Sequence, residues 1–312
     1  MGRGGKTLAM DLRDEWLFAG SEFTQPDWSR IDAWVRGQTG DLAEQDAIWM
    51  AIARSWISAL CKEFGEAYRV DESEHFMLVS VASDAKADEL LRFLERTLVD
   101  IREALPCLVG DPPAGKCPVL VVADHDRFYA YLADFTGSDE LITIGGVFLN
   151  RGWGHFALPS HDLRLYEDTF AHELCHALVS RLRLPLWLDE AIAVTVENSI
   201  TRRNPYILDR EMVERHQGYW TAAHIQAFWT GESFGFADDG HELSYHLAQF
   251  ILNAIYQGGA TPPDLINEFI LQAGGSDDAG ASAAREVLGF ELGELLEHFL
   301  GEGDWDPVPS GS

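Results

Sequence analysis

The 312-residue sequence has few basic residues, few cysteines and no long apolar run, and each shortage narrows what the protein can be. A membrane-crossing helix needs about 18 or more consecutive apolar residues, and no such run occurs, so we expect no membrane span. Charged residues between Asp11 and Glu15 interrupt the amino terminus, which therefore lacks the apolar stretch of a secretory signal. We expect a cytoplasmic protein, unless an export segment lies outside this sequence.

Basic side chains are scarce relative to acidic ones. There are 23 Lys and Arg against 51 Asp and Glu, giving a formal net charge of −28 at pH 7. A surface this acidic repels nucleic acid backbones and anionic lipids, which argues against both as partners. Hydrophobic residues still make up 46% of the chain, so a packed core in one large domain or two modest ones is expected.

The four cysteines are Cys61, Cys107, Cys117 and Cys175. No two of them have the CxxC spacing, which argues against a zinc site built from thiolates. A disulfide between Cys107 and Cys117 and four reduced thiols both remain open, and reduced buried thiols are the simpler interpretation.

The chain contains neither internal repeats nor low-complexity tracts, and its patterning changes along its length. Helical patterning occupies residues 26–68 and is clearest from Leu42 to Tyr68. Strand-forming segments follow at 75–83, 118–123, 141–149 and 155–158, with helical segments at 85–105 and 126–132. From Leu165 onward the pattern is almost entirely helical. Strands in the first half and helices in the second predict an α+β fold rather than a doubly wound parallel one.

Residues 169–179 read TFAHELCHALV and contain the HExxH pattern. On a helix, residues four apart lie on one face, so the imidazoles of His172 and His176 can reach a single metal ion. Glu173 lies about 100° around the helix from His172, where it can hold a water beside the metal. The alternative is a surface helix whose two histidines and glutamate are merely solvated.

The next segment, PLWLDEAIA at 185–193, supports the metal interpretation. Catalytic zinc uses three protein ligands and an open fourth position, and two histidines with one glutamate are a common set. A turn closed by Pro185 would let Glu190, on a second helix, return to the two histidines. Asp189 lies about 100° from Glu190 around that helix, so only one of the two carboxylates can face the ion.

Together these segments resemble the gluzincin metallopeptidases, in particular the peptidase MA-like group of mostly bacterial proteins, which read HExxH and then PxWLxEGxA. The glycine of that pattern is replaced by Ala191. Better-known gluzincins carry an acidic residue where this chain has Val194, so a carboxylate partner for a ligand histidine is missing or comes from elsewhere. The matching positions of the second segment are Pro185, Trp187, Leu188, Glu190 and Ala193.

The resemblance covers about residues 70–300 and implies a zincin-like fold. In that fold a small mixed β-sheet precedes an active-site helix, and the C-terminal half is mostly helical. Residues 1–70 do not share this resemblance and are predicted to be an N-terminal helical segment of unknown role, followed by a metallopeptidase domain at 71–302 and a tail at 303–312.

The resemblance also implies a Zn²⁺ ion held by His172, His176 and Glu190, with Glu173 as general base. Such enzymes commonly stabilise the oxyanion with a donor from a later helix. Tyr245, in the segment LSYHLAQFIL, is the expected donor, with His246 and His241 as alternatives.

The expected partner is a peptide or protein substrate, which would add a strand beside 141–150, the segment ahead of the metal helix. The expected function is zinc-dependent peptide-bond hydrolysis. The alternative is a zinc-binding but inactive domain that acts as a protein-binding module, and a metal-free helical adaptor is a third interpretation. Glu173 favours activity, because a non-catalytic site has no need of a general base. The sequence does not indicate an oligomeric state.

Overall fold

The computed structural model describes residues 12–109, 115–136, 146–149, 152–160, 163–202, 208–257 and 261–308. These residues divide into two compact units, one drawn from 1–99 and 111–173, the other from 100–110 and 174–312. The division passes through the helix that carries the HExxH motif.

The first unit combines a β-hairpin, a larger sheet and several helices, two of which continue across the division. Its elements are β1 (Leu17–Ala19), β2 (Thr24–Pro26), α1 (Trp28–Gln38), α2 (Leu42–Phe64), β3 (Arg69–Glu72), β4 (Phe76–Ser80), α3 (Asp84–Ala104), β5 (Cys117–Val122), α4 (His125–Thr136), β6 (Val147–Leu149), β7 (His155–Pro159) and α5 (Leu163–Val179).

The five-stranded sheet has the order β3-β4-β5-β7-β6. Strands β4, β5 and β7 pair in parallel, whereas β3 and β6 pair antiparallel at the two edges of the described sheet. Residues of the three central strands are almost all buried, as expected for parallel strands covered on both faces. The sheet is therefore small and mixed, as predicted.

Helix α2 joins the N-terminal segment to this sheet. Asp41 caps its first turn by accepting hydrogen bonds from the backbone N–H groups of Ala43 and Glu44, and the helix ends before Gly65. Buried side chains such as Trp56 and Leu60 share one hydrophobic cluster with Leu120 and others from the sheet. The described part of the N-terminal segment therefore contributes to the core of the first unit.

The β1–β2 hairpin has no counterpart in the predicted elements. Each strand is only three residues long, which is too short for a visible alternation. The Asp134 carboxylate, from α4, accepts hydrogen bonds from the backbone N–H groups of Ser21, Glu22 and Phe23 and so fixes the turn. A contact this distant in sequence leaves no local pattern.

All the regular elements described in the second unit are helices. Besides the C-terminal ends of α3 and α5, the unit contains α6 (Leu186–Thr201), α7 (Arg210–Tyr219), α8 (His224–Trp229), α9 (Asp239–Gln257), α10 (Pro263–Ala273), α11 (Ala281–Ala283) and α12 (Leu292–Leu300). Helices α6 and α9 pack against each other.

The described end of the chain is packed into the second unit. The indole N–H of Trp229 donates to the carbonyl of Trp305, and the Asp306 carboxylate accepts from the backbone N–H of Gly293. Trp305 itself is buried. Trp305 and Asp306 therefore belong to the packed structure.

Several expectations can be compared with these elements directly. The predicted helices and strands of both halves are present, with shifted ends, and the combination of one small sheet with many helices is compatible with an α+β class. Of the predicted strand at 141–149, residues 141–145 lie outside the described part. All four cysteines are free thiols. None of the described helices combines the length and apolar composition needed to cross a membrane.

Candidate metal centre

Helix α5 presents the HExxH motif as the sequence predicts. Phe170, Leu174 and Leu178 are buried and anchor one side of the helix. His172, Glu173 and His176 are half-buried, so they are shielded from bulk water without being sealed in the core.

Helix α6 brings the second segment of the pattern to the site. A short 3₁₀ turn and Arg183, which has a left-handed backbone conformation (φ 53°), reverse the chain after α5. The indole N–H of fully buried Trp187 donates to the carbonyl of Ala279 at 2.9 Å, which fixes the start of α6. Glu190 lies one turn further on and is only 9% exposed.

His172, His176 and Glu190 form a group that could hold a metal ion. One ligand atom from each lies within 4.8 Å of those of the other two. The Nε2 atom of His176 is 3.4 Å from Oε2 of Glu190. Two ligand atoms bound tetrahedrally at zinc distances of 2.0–2.1 Å are about 3.4 Å apart, so this donor pair fits such an ion.

Asp189 contacts the opposite side of the same imidazole. Its Oδ1 lies 3.1 Å from Nδ1 of His176. A carboxylate on the distal nitrogen of a ligand histidine fixes the ring orientation and raises its basicity as a ligand. Asp189 can therefore serve as a carboxylate partner of His176, and Glu190 alone of the two acids joins the group.

The two carboxylates determine the electrostatics around His176. Burial by itself would lower the pKa of this imidazole, but the hydrogen bonds to Asp189 and Glu190, with their charges, raise it to about 10. The two carboxylates thus favour positive charge at this ring, whether it is carried by a proton or by a bound metal ion. Burial, reinforced by the same two carboxylates, raises the pKa of Cys175 well above its ordinary value, so its thiol stays protonated and is not a thiolate ligand.

Glu173 is held by the edge of the sheet. Its Oε2 accepts a hydrogen bond from the backbone N–H of Phe148, in β6, at 3.1 Å. It is not a member of the group that could hold a metal. Its position beside the first histidine and its separate contact agree with a role other than that of a ligand.

The three proposed oxyanion donors lie on α9, the helix that packs against α6. Tyr245 is half-buried, and its ring contacts those of Phe234 and His241 at centroid distances of 5.1 and 5.2 Å. The Nδ1 atom of His246 faces Nε2 of His216 at 3.1 Å, and Nδ1 of His241 faces the carbonyl of Phe234. The role of Tyr245 stays a prediction.

Two participants were not anticipated as such from the sequence. The sequence pattern presents Asp189 only as a rival ligand to Glu190, and it carries no signal for the backbone of Phe148. Neither leaves a motif, because one depends on the rotation of α6 and the other on a contact between a strand and a helix.

Comparison with known proteins adds no further assignment. A scan against models of protein families gives no match for this chain, and no curated protein matches it in sequence.

Proposed function

We propose that the protein is a zinc-dependent metallopeptidase of the gluzincin type. The observation that carries the proposal is the convergence of His172, His176 and Glu190 into one donor group, with Glu173 directly beside it in sequence. Two imidazoles and one carboxylate are a common ligand set of catalytic zinc. The resemblance to the HExxH and PxWLxE segments supports the same conclusion.

The architecture supports a zincin-like fold. A small mixed sheet precedes the helix with the HExxH motif, an antiparallel strand forms one edge of the described sheet, and the following part of the chain is helical. The separation of a sheet-bearing unit and a helical unit within α5 is consistent with this proposal.

Each residue then has a distinct task in hydrolysis. When bound, zinc supplies Lewis acidity, which polarises a carbonyl and makes water acidic enough to lose a proton near neutral pH. Glu173 accepts the proton of the attacking water and passes it to the leaving amine. Asp189 contacts Nδ1 of His176, so that Nε2 of the same ring faces Glu190 and is the atom that can bind the metal. Tyr245 donates a hydrogen bond to the oxyanion.

A peptide or protein is the proposed substrate, bound as an added strand along β6. This strand pairs with β7 only, among the described strands, and so lies at an edge of the described sheet. An edge strand presents backbone groups that an extended peptide can pair with. We propose neither nucleic acid nor a membrane surface as partner, given the acidic surface.

The test is Glu173→Gln in a peptide-cleavage assay, with zinc content measured on the same samples. Gln has nearly the same size but cannot take the proton, so we expect a folded variant with parent-like zinc and at least about a hundredfold lower turnover. Parent-like turnover by the variant would contradict the proposed mechanism. A zinc-bound parent that cleaves no peptide in a diverse library would favour the inactive binding module instead.

A further inference from the structure

We propose that the backbone N–H of Phe148 positions Glu173, and that β6 therefore offers a substrate strand only a carbonyl acceptor at this residue. The contact on which this depends is the 3.1 Å hydrogen bond from the Phe148 N–H to Oε2 of Glu173. Its catalytic consequence rests on the proposed function, whereas the contact itself does not.

The direction of the Phe148 amide follows from the strand register. In an antiparallel pair each residue points its N–H and C=O to the same side, and consecutive residues alternate. The Phe148 N–H donates to Glu173, so the N–H and C=O of Phe148 point away from β7. Those of its neighbours Val147 and Leu149 point toward β7. Phe148 is opposite Phe156 and thus forms a non-hydrogen-bonded pair, in which side chains come closest. The rings of this pair are indeed 4.8 Å apart.

Aromatic packing fixes the strand relative to the helix that carries Glu173. The ring of Phe156 contacts both Phe148 and Phe170, the latter on α5, at centroid distances of 4.8 Å each. Two glycines allow the chain to approach this closely. A Cβ at Gly154 would lie 2.6 Å from the ring of Phe148, and one at Gly146 would lie 3.0 Å from the side chain of Thr169 on α5.

The consequence for Glu173 is a fixed carboxylate. Hydrogen bonds to charged acceptors are stronger than those between neutral groups, and a backbone donor in a packed strand loses little freedom on forming one. The bond from Phe148 ties Oε2, one end of the carboxylate, to the sheet. Phe148 is thus a positioning residue that acts through its main chain.

The consequence for the substrate is a specific polarity at this point of the strand. If a peptide were added to β6 as a regular strand, each outward-pointing residue of β6 would donate its N–H to a peptide carbonyl and accept a peptide N–H at its own C=O. At Phe148 the N–H is already bonded to Glu173, so only the outward C=O is left to accept an N–H from the substrate.

Amide hydrogen exchange tests the contact without depending on metal or activity. In the metal-free protein, Glu173→Ala should speed exchange of the Phe148 amide by about tenfold to a hundredfold, while the Val147 and Leu149 amides keep their protection from β7. Glu173→Gln retains an oxygen acceptor and should restore most of the Phe148 protection. Unchanged exchange at Phe148 in Glu173→Ala would overturn the proposal, as would equal loss of protection at all three amides.

A pair of substitutions at Phe148 tests the catalytic consequence. Phe148→Ala removes the ring and keeps the N–H, whereas Phe148→Pro removes both, and proline is tolerated where an edge-strand N–H faces outward. We expect kcat for the proline variant about tenfold to a hundredfold below that of the alanine variant, with equal zinc content and similar KM. Equal kcat in the two variants would overturn the positioning role. The expected exchange pattern in an inactive parent would instead contradict the proposed function and leave the contact established.

Discussion

His176 and His155 have opposite kinds of surroundings. In the candidate metal centre, His176 has a carboxylate at each nitrogen, Asp189 at Nδ1 and Glu190 at Nε2. In the core of the first unit, the fully buried His155 has neutral partners. Its Nε2 pairs with the Tyr131 hydroxyl at 2.7 Å and its Nδ1 with the Trp153 carbonyl at 3.1 Å.

The buried histidines of the second unit follow the core pattern. The indole N–H of Trp220 donates to Nδ1 of His216, so the proton of that neutral imidazole is on Nε2, which donates to Nδ1 of His246. Burial, followed by the nearby His246 and Arg215, lowers the pKa of His216 to about 3. Both nitrogens of His216 are used within the protein.

The difference shows that the partners, rather than burial alone, decide what a histidine can do. Burial lowers the pKa of His155 to about 4, despite a small opposing effect of the Trp153 carbonyl. The carboxylates of Asp189 and Glu190 raise the pKa of His176 to about 10 in spite of burial. For these two residues, neutral partners leave an uncharged ring in the core, whereas two carboxylates favour positive charge at the ring.

The largest expected effect is a difference in zinc affinity between variants of the candidate metal centre and a variant of the core histidine His155. We expect His172→Ala and Glu190→Ala to lose nearly all zinc binding, because each removes one of three ligands. His155→Gln, which keeps an acceptor for the Tyr131 hydroxyl, should bind zinc like the parent. Competition titration with a chelating dye measures this. Full zinc retention by Glu190→Ala would remove Glu190 from the ligand set.

A smaller effect on metal affinity should follow from changes at Asp189. Loss of such an outer partner typically costs about tenfold to a hundredfold in metal affinity, which we expect for Asp189→Ala. Asp189→Asn keeps an oxygen acceptor for Nδ1 of His176 and should recover most of that loss. The same titration applies, and a loss as large as that of Glu190→Ala would mean that Asp189 is itself a ligand.

The buried His155 should make the free energy of unfolding depend on pH. His155 binds its proton more readily when unfolded, near pH 6.5, than when folded, near pH 4. Its contribution is therefore complete above about pH 6.5 and falls by about 1.4 kcal/mol per pH unit below that. Urea unfolding between pH 7 and 4.5 should show a shallower decline for His155→Gln than for the parent. Parallel declines would show that His155 is not kept neutral.

The smallest effect concerns the indole donor. Trp220→Phe leaves Nδ1 of His216 without its partner and should lower the free energy of unfolding by about 1–2 kcal/mol. Zinc affinity should stay at the parent value, since neither His216 nor His246 belongs to the group that could hold a metal. Thermal unfolding and zinc titration of the variant check both statements, and a zinc affinity lowered tenfold would contradict the second.

A feature of the fold or of the candidate site could be predicted from the sequence where the residues that cause it lie close together in the chain. The periodicity of α2 and the apolar run of β5 are local, so both elements were predicted, as was the face that His172 and His176 share. The rotation that turns Asp189 to Nδ1 of His176 is fixed by distant contacts, such as that of Trp187 with Ala279. For the same reason neither the hairpin anchored by Asp134 nor the bond from Phe148 to Glu173 was predicted.

The most direct test of the central claim is the metal content of the parent protein. Elemental analysis of protein purified without added metal or chelator should find about one zinc per chain, and dialysis against a chelator followed by zinc should restore the same ratio. A protein that holds no zinc as purified and binds none at micromolar concentrations would contradict the account, whatever its activity.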